Sequence, residues 1–170
     1  MILFQREPRT LYLPEEASHI TADILSRMQL PATVMRDGGV PVLAQSETFC
    51  ENYAALQLGR IVMYHAGKDA PEHIRRLTAE LKRQNAAVIE LFLPLNEPGA
   101  AYAYEAAKRL GYFCIGFLPL SQRGDMLMME NLLAQAVDYD AMQTVEPFTG
   151  LLGEIRMLDP NESQEGDESK

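Results

Sequence analysis

The segment Ala86-Ala-Val-Ile-Glu-Leu-Phe-Leu-Pro94 is apolar almost throughout, and Glu90 is the one charged residue within it. A short, continuously apolar run is typical of a strand that other elements cover on both faces. The segment therefore predicts a central β-strand. Burial there would raise the pKa of the Glu90 carboxyl and prepare it as a general base. The alternative is that Glu90 faces the wetter side of the sheet or hydrogen-bonds a neighbour.

A helix is predicted on each side of this strand. The first begins within Gly67-Lys-Asp-Ala-Pro-Glu72, where Asp69 suits the capping position and Pro71 suits the first turn. Its apolar stripe is formed by Ile74, Leu77 and Leu81. The second helix begins at residues 96–98 and ends at Gly111, a residue type that favours the left-handed conformation after a helix.

Runs of strand-type residues between turn residues predict the other strands. The first is Thr10–Pro14. An antiparallel hairpin is predicted from Ala32–Arg36 and Val40–Gln45, around the turn Asp37-Gly38-Gly39, and a second pair, Thr48–Leu56 and Arg60–His65, continues this meander. A third pair is predicted at Tyr112–Leu118 and Asp125–Met129. Helical spacing of apolar residues predicts further helices over Glu15–Met28 and Pro147–Leu158. The acidic segment Asp159–Lys170 is expected to be a disordered tail on a single domain of residues 1–158.

The composition limits the classes of function. The chain has 170 residues, 47% of them apolar, and a net charge of −9 from 24 acids and 15 bases, as in one soluble globular domain. The acidic balance argues against nucleic-acid and membrane partners. Apolar runs are too short for a membrane span, and the first residues lack a secretory core, so we expect a cytoplasmic protein. Cys50 and Cys114 have no ligands at metal spacing, which predicts no metal site.

The order of the predicted elements resembles that of the GNAT superfamily of acyl-CoA-dependent N-acetyltransferases. The segment Ala101–Phe113 carries most of this resemblance, because it is similar to the family's helix that ends in a Gly-aromatic pair and leads into a strand. The chain also resembles a narrower group of GNAT-like domains, which stand alone or follow an ATPase domain of the anti-sigma, histidine-kinase type. This resemblance lies in Leu93–Pro98, Leu110–Phe113, Gly116–Pro119 and Gly124–Leu127. The resemblance implies an α/β (α+β) fold, with a mixed, splayed sheet of about seven strands flanked by helices on both sides.

The resemblance also implies a cofactor loop. In the superfamily, backbone N–H groups of a Gly-rich loop before a helix bind the pyrophosphate of acyl-CoA. The matching positions here are Gly67, Lys68, Asp69 and Ala70, which keep one glycine of the usual pair. The Asp69 carboxylate stands where phosphate oxygens belong, and like charges at about 4 Å repel by about 4 kcal/mol at an effective dielectric of about 20. We therefore expect no cofactor, and acetyl-CoA only if the chain is an enzyme.

Three side chains are candidates for acid–base catalysis. Many members of the superfamily protonate the leaving thiolate with a Tyr four residues before the Gly-aromatic pair, where this chain has Ala107. Tyr104 lies almost one turn earlier and is a candidate acid, with packing as the alternative. His65, at a strand end beside the loop, is a candidate base together with Glu90.

Two functions from different classes follow from these patterns. The first is a GNAT-like domain that has lost acyl transfer and acts as a regulatory or protein-interaction module. Such a domain would bind a protein partner or a second copy of itself through apolar surface on Met126–Met129 or on the stripe Phe148, Leu151, Leu152 and Ile155. Alternatively, that stripe folds back on its own sheet. The second function is a divergent acetyl-CoA-dependent N-acetyltransferase, and the departures from the family pattern favour the first.

Overall fold

The computed structural model describes residues 9–36, 39–133, 135–146 and 148–162, which contain seven strands and four α-helices. The strands are β1 (Arg9–Tyr12), β2 (Ala32–Met35), β3 (Glu47–Tyr53), β4 (Leu58–His65), β5 (Val88–Pro94), β6 (Phe113–Ser121) and β7 (Gly124–Asn131). The helices are α1 (Ser18–Met28), α2 (Ala70–Arg83), α3 (Ala100–Lys108) and α4 (Phe148–Leu158), and a short 3-10 helix, Ala54–Leu56, joins β3 to β4.

The strands form two sheets. β1 and β2 pair in parallel, and the other five strands form a sheet of order β3-β4-β5-β7-β6. In this larger sheet β4 and β5 are parallel, and the three remaining neighbouring pairs are antiparallel. The predicted mixed α/β class is confirmed, and β5 takes the central position that its apolar sequence predicts. The seven strands of the described ranges do not form the single sheet that was expected, because β1 and β2 pair only with each other.

The predicted hairpin of Ala32–Arg36 and Val40–Gln45 is wrong. β2 pairs in parallel with β1, and Val40–Gln45 forms no strand. Residues 37 and 38 of the predicted turn lie outside the described residues. Glycines indicate a change of chain direction but do not identify a strand partner. Residues 39–46 instead form a loop, named here the crossing loop, that contacts the residues after β4 and β5.

Helix α2 packs on one face of the larger sheet. Gly59 of β4 leaves room for it, because a Cβ at this position would lie 2.8 Å from a methyl carbon of Leu81. Ile61 and Ile89, which share this face, are completely buried. Alternate residues of β4 and β5 point to the opposite face, and all of them except Pro94 at the end of β5 are only half-buried. The expectation that β5 is covered on both faces is therefore wrong for the part of the chain that the structure describes.

Helix α4 packs against β6 of its own chain, as the fold-back alternative predicts, and Leu151, Ile155 and Leu158 contact the core. The tail was expected to begin at Asp159, but the Asp159 side chain is 1% exposed and accepts a hydrogen bond from the Tyr139 hydroxyl at 2.9 Å. Buried contacts therefore continue past Leu158, and residues 163–170 lie outside the described residues. None of the helices described here combines the length and the apolar character that a membrane crossing requires.

Candidate functional site

The segment 65–70 joins the end of β4 to the start of α2 at the point where β4 and β5 cease to pair. The register aligns Leu58–Val62 with Val88–Phe92, and the last three residues of β4 have no partner in β5. Parallel strands that part in this way leave a gap between their carboxyl ends, beside the N-terminus of α2. The predicted cofactor loop lies at this gap.

Three successive backbone N–H groups of this loop already have acceptors within the chain. An oxyanion in the loop would need the same N–H groups, so it would compete with these acceptors. The three bonds run from Ala66 N–H to Glu97 Oε1 at 2.7 Å, from Gly67 N–H to Ser46 Oγ at 3.0 Å, and from Lys68 N–H to the Leu43 carbonyl at 2.9 Å.

Glu97 places a negative charge directly on the loop. While Oε1 accepts from Ala66, the other carboxylate oxygen lies 2.8 Å from Nδ1 of His65. The His65 side chain is about half exposed, and that of Glu97 is 22% exposed. His65, a candidate base, is thus engaged by a carboxylate of the chain itself.

The crossing loop packs against Gly67 so closely that only glycine fits there. A Cβ at position 67 would overlap the carbonyl carbon of Gln45 and lie 2.5 Å from the backbone nitrogen of Ser46. Gly67 therefore serves the approach of one backbone segment to another.

Asp69 stands at the N-cap position of α2, but its side chain makes no capping bond. Its Oδ1 accepts instead from the backbone N–H of Ser46 at 2.6 Å and from the Ser46 hydroxyl at 2.7 Å. The predicted capping by this side chain is wrong, because the crossing loop offers two donors that hold the carboxylate. Of the other predicted cofactor positions, Lys68 is exposed, while Ala70 is buried and donates its N–H to the Gly67 carbonyl.

The three predicted catalytic side chains do not form one site. Glu90 accepts a hydrogen bond from Nε of Arg60 at 2.7 Å, and His65 lies five residues beyond Arg60 on β4, about 16 Å along the strand. Tyr104 is 1% exposed, and its hydroxyl donates to Oε2 of Glu16 at 3.2 Å. Burial raises the pKa of Tyr104 well above its usual value, which makes it a poor acid.

Sequence reasoning missed three residues at the loop: Ser46, Glu97 and Tyr102. The Tyr102 hydroxyl donates to the Lys68 carbonyl at 3.1 Å, so it is Tyr102, and not Tyr104, that reaches the loop from α3. Glu97 lies three residues after the end of the central strand, a position from which its contact with the loop was predictable. Ser46 offers no local signal, because its role depends on the crossing loop.

No family model, curated protein or solved structure matches the chain. Within the described ranges there is also no group of three or more His, Cys, Asp or Glu side chains that could hold a metal ion.

Proposed function

We propose that this chain is a GNAT-like domain that has lost acyl transfer and acts as a regulatory or protein-interaction module. The observation that carries the proposal is the set of internal acceptors on the loop. An acyl-CoA pyrophosphate would have to displace the Glu97 carboxylate, the Ser46 hydroxyl and the Leu43 carbonyl. At roughly 1 kcal/mol for each bond, this exchange would weaken binding about 100-fold.

The charges at the loop favour the same proposal. Glu97 and Asp69 both direct carboxylate oxygens at groups that surround the loop. Opposing them is the exposed Lys68, whose positive charge solvent screens. A pyrophosphate entering the loop would therefore meet two fixed anions at close range.

The separation of the candidate catalytic groups is a second support. Acid–base catalysis requires both groups within hydrogen-bonding reach of one substrate. Glu90 lies mid-strand beside Arg60, whereas the Tyr104 hydroxyl donates to Glu16, two residues before α1. Tyr104 is also 1% exposed, so a substrate bound at the half-buried face beside Glu90 would not have its hydroxyl within reach.

The alternative function, a divergent acetyl-CoA-dependent N-acetyltransferase, is favoured by one observation. β4 and β5 stop pairing after Val62 and Phe92, and an extended acyl chain between two parallel strands would require such a separation of their ends. An enzyme of this kind would have to move the crossing loop before it bound its cofactor.

Calorimetric titration with acetyl-CoA distinguishes the two functions. We expect no saturable binding by the parent protein below about 100 μM. The variant Glu97→Ala should bind acetyl-CoA more tightly than the parent, because it frees the Ala66 N–H and removes a charge, whereas Glu105→Ala, an exposed carboxylate of α3, should not. A dissociation constant in the low micromolar range for the parent would overturn the proposal and establish cofactor binding.

A further inference from the structure

The sheet face opposite α2 carries apolar side chains in a line that crosses four strands. The register pairs Phe49 with Val62, Val62 with Phe92, and Phe92 with Met128, which places these four side chains next to one another. Phe49 is 44% exposed and the other three are half-buried. This line, named here the apolar row, is about 14 Å long at about 4.8 Å between strands.

A line of charged side chains runs beside the apolar row, two residues away on each strand. It consists of Glu51, Arg60, Glu90 and Glu130, which the register also aligns. Arg60 donates to Glu90 and lies over the rings of Tyr53 and Phe92, at 5.2 and 5.7 Å from their centroids. This charged row thus holds three carboxylates against one guanidinium.

Glu130 is the least compensated member of the charged row. It is half-buried, and among the described residues no hydrogen bond or ion pair to its carboxylate occurs. A half-buried carboxylate beside a second carboxylate is stabilised by any cation that binds next to it. The row therefore attracts positive charge at the same face that offers apolar contact.

We infer that this face binds a basic, amphipathic helical segment of a partner protein. A helix rises about 5.4 Å per turn, close to the spacing between strands, so apolar residues on successive turns can contact successive members of the apolar row. Lys or Arg side chains along one flank of that helix then meet the charged row. A second copy of the chain is disfavoured, because it would bring the same negative surplus against itself on a molecule of net charge −9.

This inference rests on the proposed interaction function and identifies the chemistry of the partner. It does not depend on the state of the cofactor loop, because Arg60 of the charged row is about 16 Å from His65 along β4. Failure of a basic helix to bind would leave the result of the acetyl-CoA titration unchanged, so failure of the inference and failure of the proposed function are distinguishable.

The test uses the full chain and two labelled peptides of about 14 residues each, or about 21 Å as helices. One contains leucine on one helical face and lysine elsewhere, and the other has glutamate in place of lysine. Fluorescence anisotropy at pH 7 should show binding of the Leu/Lys peptide and at least about 10-fold weaker binding of the Leu/Glu peptide. High salt should weaken the first interaction without abolishing it, because part of it is apolar.

Two matched pairs of variants locate the binding face. Phe49→Glu should weaken binding of the Leu/Lys peptide at least about 10-fold, whereas Leu56→Glu, at a 72% exposed residue of the neighbouring 3-10 helix, should change it less than about 2-fold. Glu130→Gln should weaken binding several-fold, and Glu105→Gln on α3 should not. Equal effects within either pair, or no binding of the Leu/Lys peptide, would overturn the inference. A dimer in sedimentation equilibrium that Phe49→Glu converts to a monomer would also overturn it, in favour of a second copy.

Discussion

Glu90 illustrates what a lone carboxylate in an apolar strand does in this fold. The sequence leaves two readings, a buried general base or a strand carboxylate bonded to a neighbour. Glu90 lies on the half-buried face and accepts from Arg60, so the second reading describes its contacts. Its neighbour on the next strand was not predictable, because the partner of a strand residue depends on register, which local sequence does not determine.

Replacement of Glu130 by Gln should stabilise the protein at neutral pH. Burial, and next the charges of Glu90 and Asp159, raise the pKa of this carboxyl in the folded state. The folded state therefore binds a proton more readily than the unfolded state, and ionisation destabilises the fold above the raised pKa. Glu130→Gln should increase the free energy of unfolding by a few tenths to about 1 kcal/mol at pH 7.

Urea denaturation at pH 7 and pH 4 measures this effect. The gain from Glu130→Gln should shrink toward pH 4, where the parent carboxyl becomes protonated and the penalty disappears. A variant that is less stable than its parent at pH 7 would show that Glu130 has a favourable role as an anion.

The two cysteines should differ in reactivity. Burial raises the pKa of Cys114 to about 11, so its thiol stays protonated at pH 8, and the side chain is completely buried. Cys50 is only partly buried, although burial raises its pKa as well. Ellman's reagent at pH 8 should titrate Cys50 slowly in the native protein and both thiols after unfolding. Cys50→Ala should abolish the native reaction, and rapid modification of Cys114 in that variant would contradict its burial.

At the scale of elements, periodicity and turn residues predict most of the structure. The predicted helix before Gly111 ends as expected, and Gly111 has a φ of +90°. The predictions that failed depend on contacts between segments distant in sequence. The crossing loop is hydrogen-bonded to Lys68 and Asp69, and Asp159 is hydrogen-bonded to Tyr139. In both cases the partners are about 20 residues or more apart in the sequence. Composition places Asp159 in an acidic segment but gives no information on its buried contact with Tyr139.

Substitution of Gly67 tests the contact between the crossing loop and the cofactor loop. A Cβ at this position meets backbone atoms of Gln45 and Ser46, which cannot move without displacing the crossing loop. Gly67→Ala should therefore destabilise the protein by about 1–3 kcal/mol in urea denaturation. Gly153→Ala on α4 is the matched control, because a Cβ there meets open space and should stabilise the helix by roughly 0.5–1 kcal/mol. Equal stability of Gly67→Ala and the parent would contradict this packing.

Two truncations test where the folded part of the C-terminal segment ends. Ending the chain after Leu158 removes Asp159 and leaves the 7% exposed Tyr139 without its acceptor, which should cost about 1–3 kcal/mol and several degrees in Tm. Ending the chain after Glu162 keeps this bond and the bond from Arg156 Nε to Glu162 at 2.6 Å. Thermal denaturation should therefore give a lower Tm for the chain that ends at Leu158 than for the chain that ends at Glu162. Identical Tm values would show that Asp159 contributes nothing to stability.

At the scale of the whole molecule, the acidic chain combines two features. Oxygens of Glu97 and Ser46 accept from the N–H groups of the loop after β4, and an apolar sheet face lies beside a row of carboxylates. The sequence predicted a cofactor loop at residues 67–70 and predicted that Asp69 disfavours an anion there. It did not reveal that Ser46 and Glu97 already occupy the loop, because Ser46 reaches it only through the crossing loop, whose path was predicted as a strand. The apolar row likewise became visible only once the register of four strands was known.

The measurement that most directly tests the proposal that this chain does not bind acyl-CoA is an amide NMR titration with acetyl-CoA. The N–H groups of Ala66, Gly67 and Lys68 are bonded to Glu97, Ser46 and Leu43. Their resonances should show no saturable shift below about 100 μM acetyl-CoA, and their hydrogen exchange should remain slow. Saturable shifts of all three resonances at low micromolar acetyl-CoA would show that the loop exchanges its internal acceptors for a phosphate, and would contradict the account.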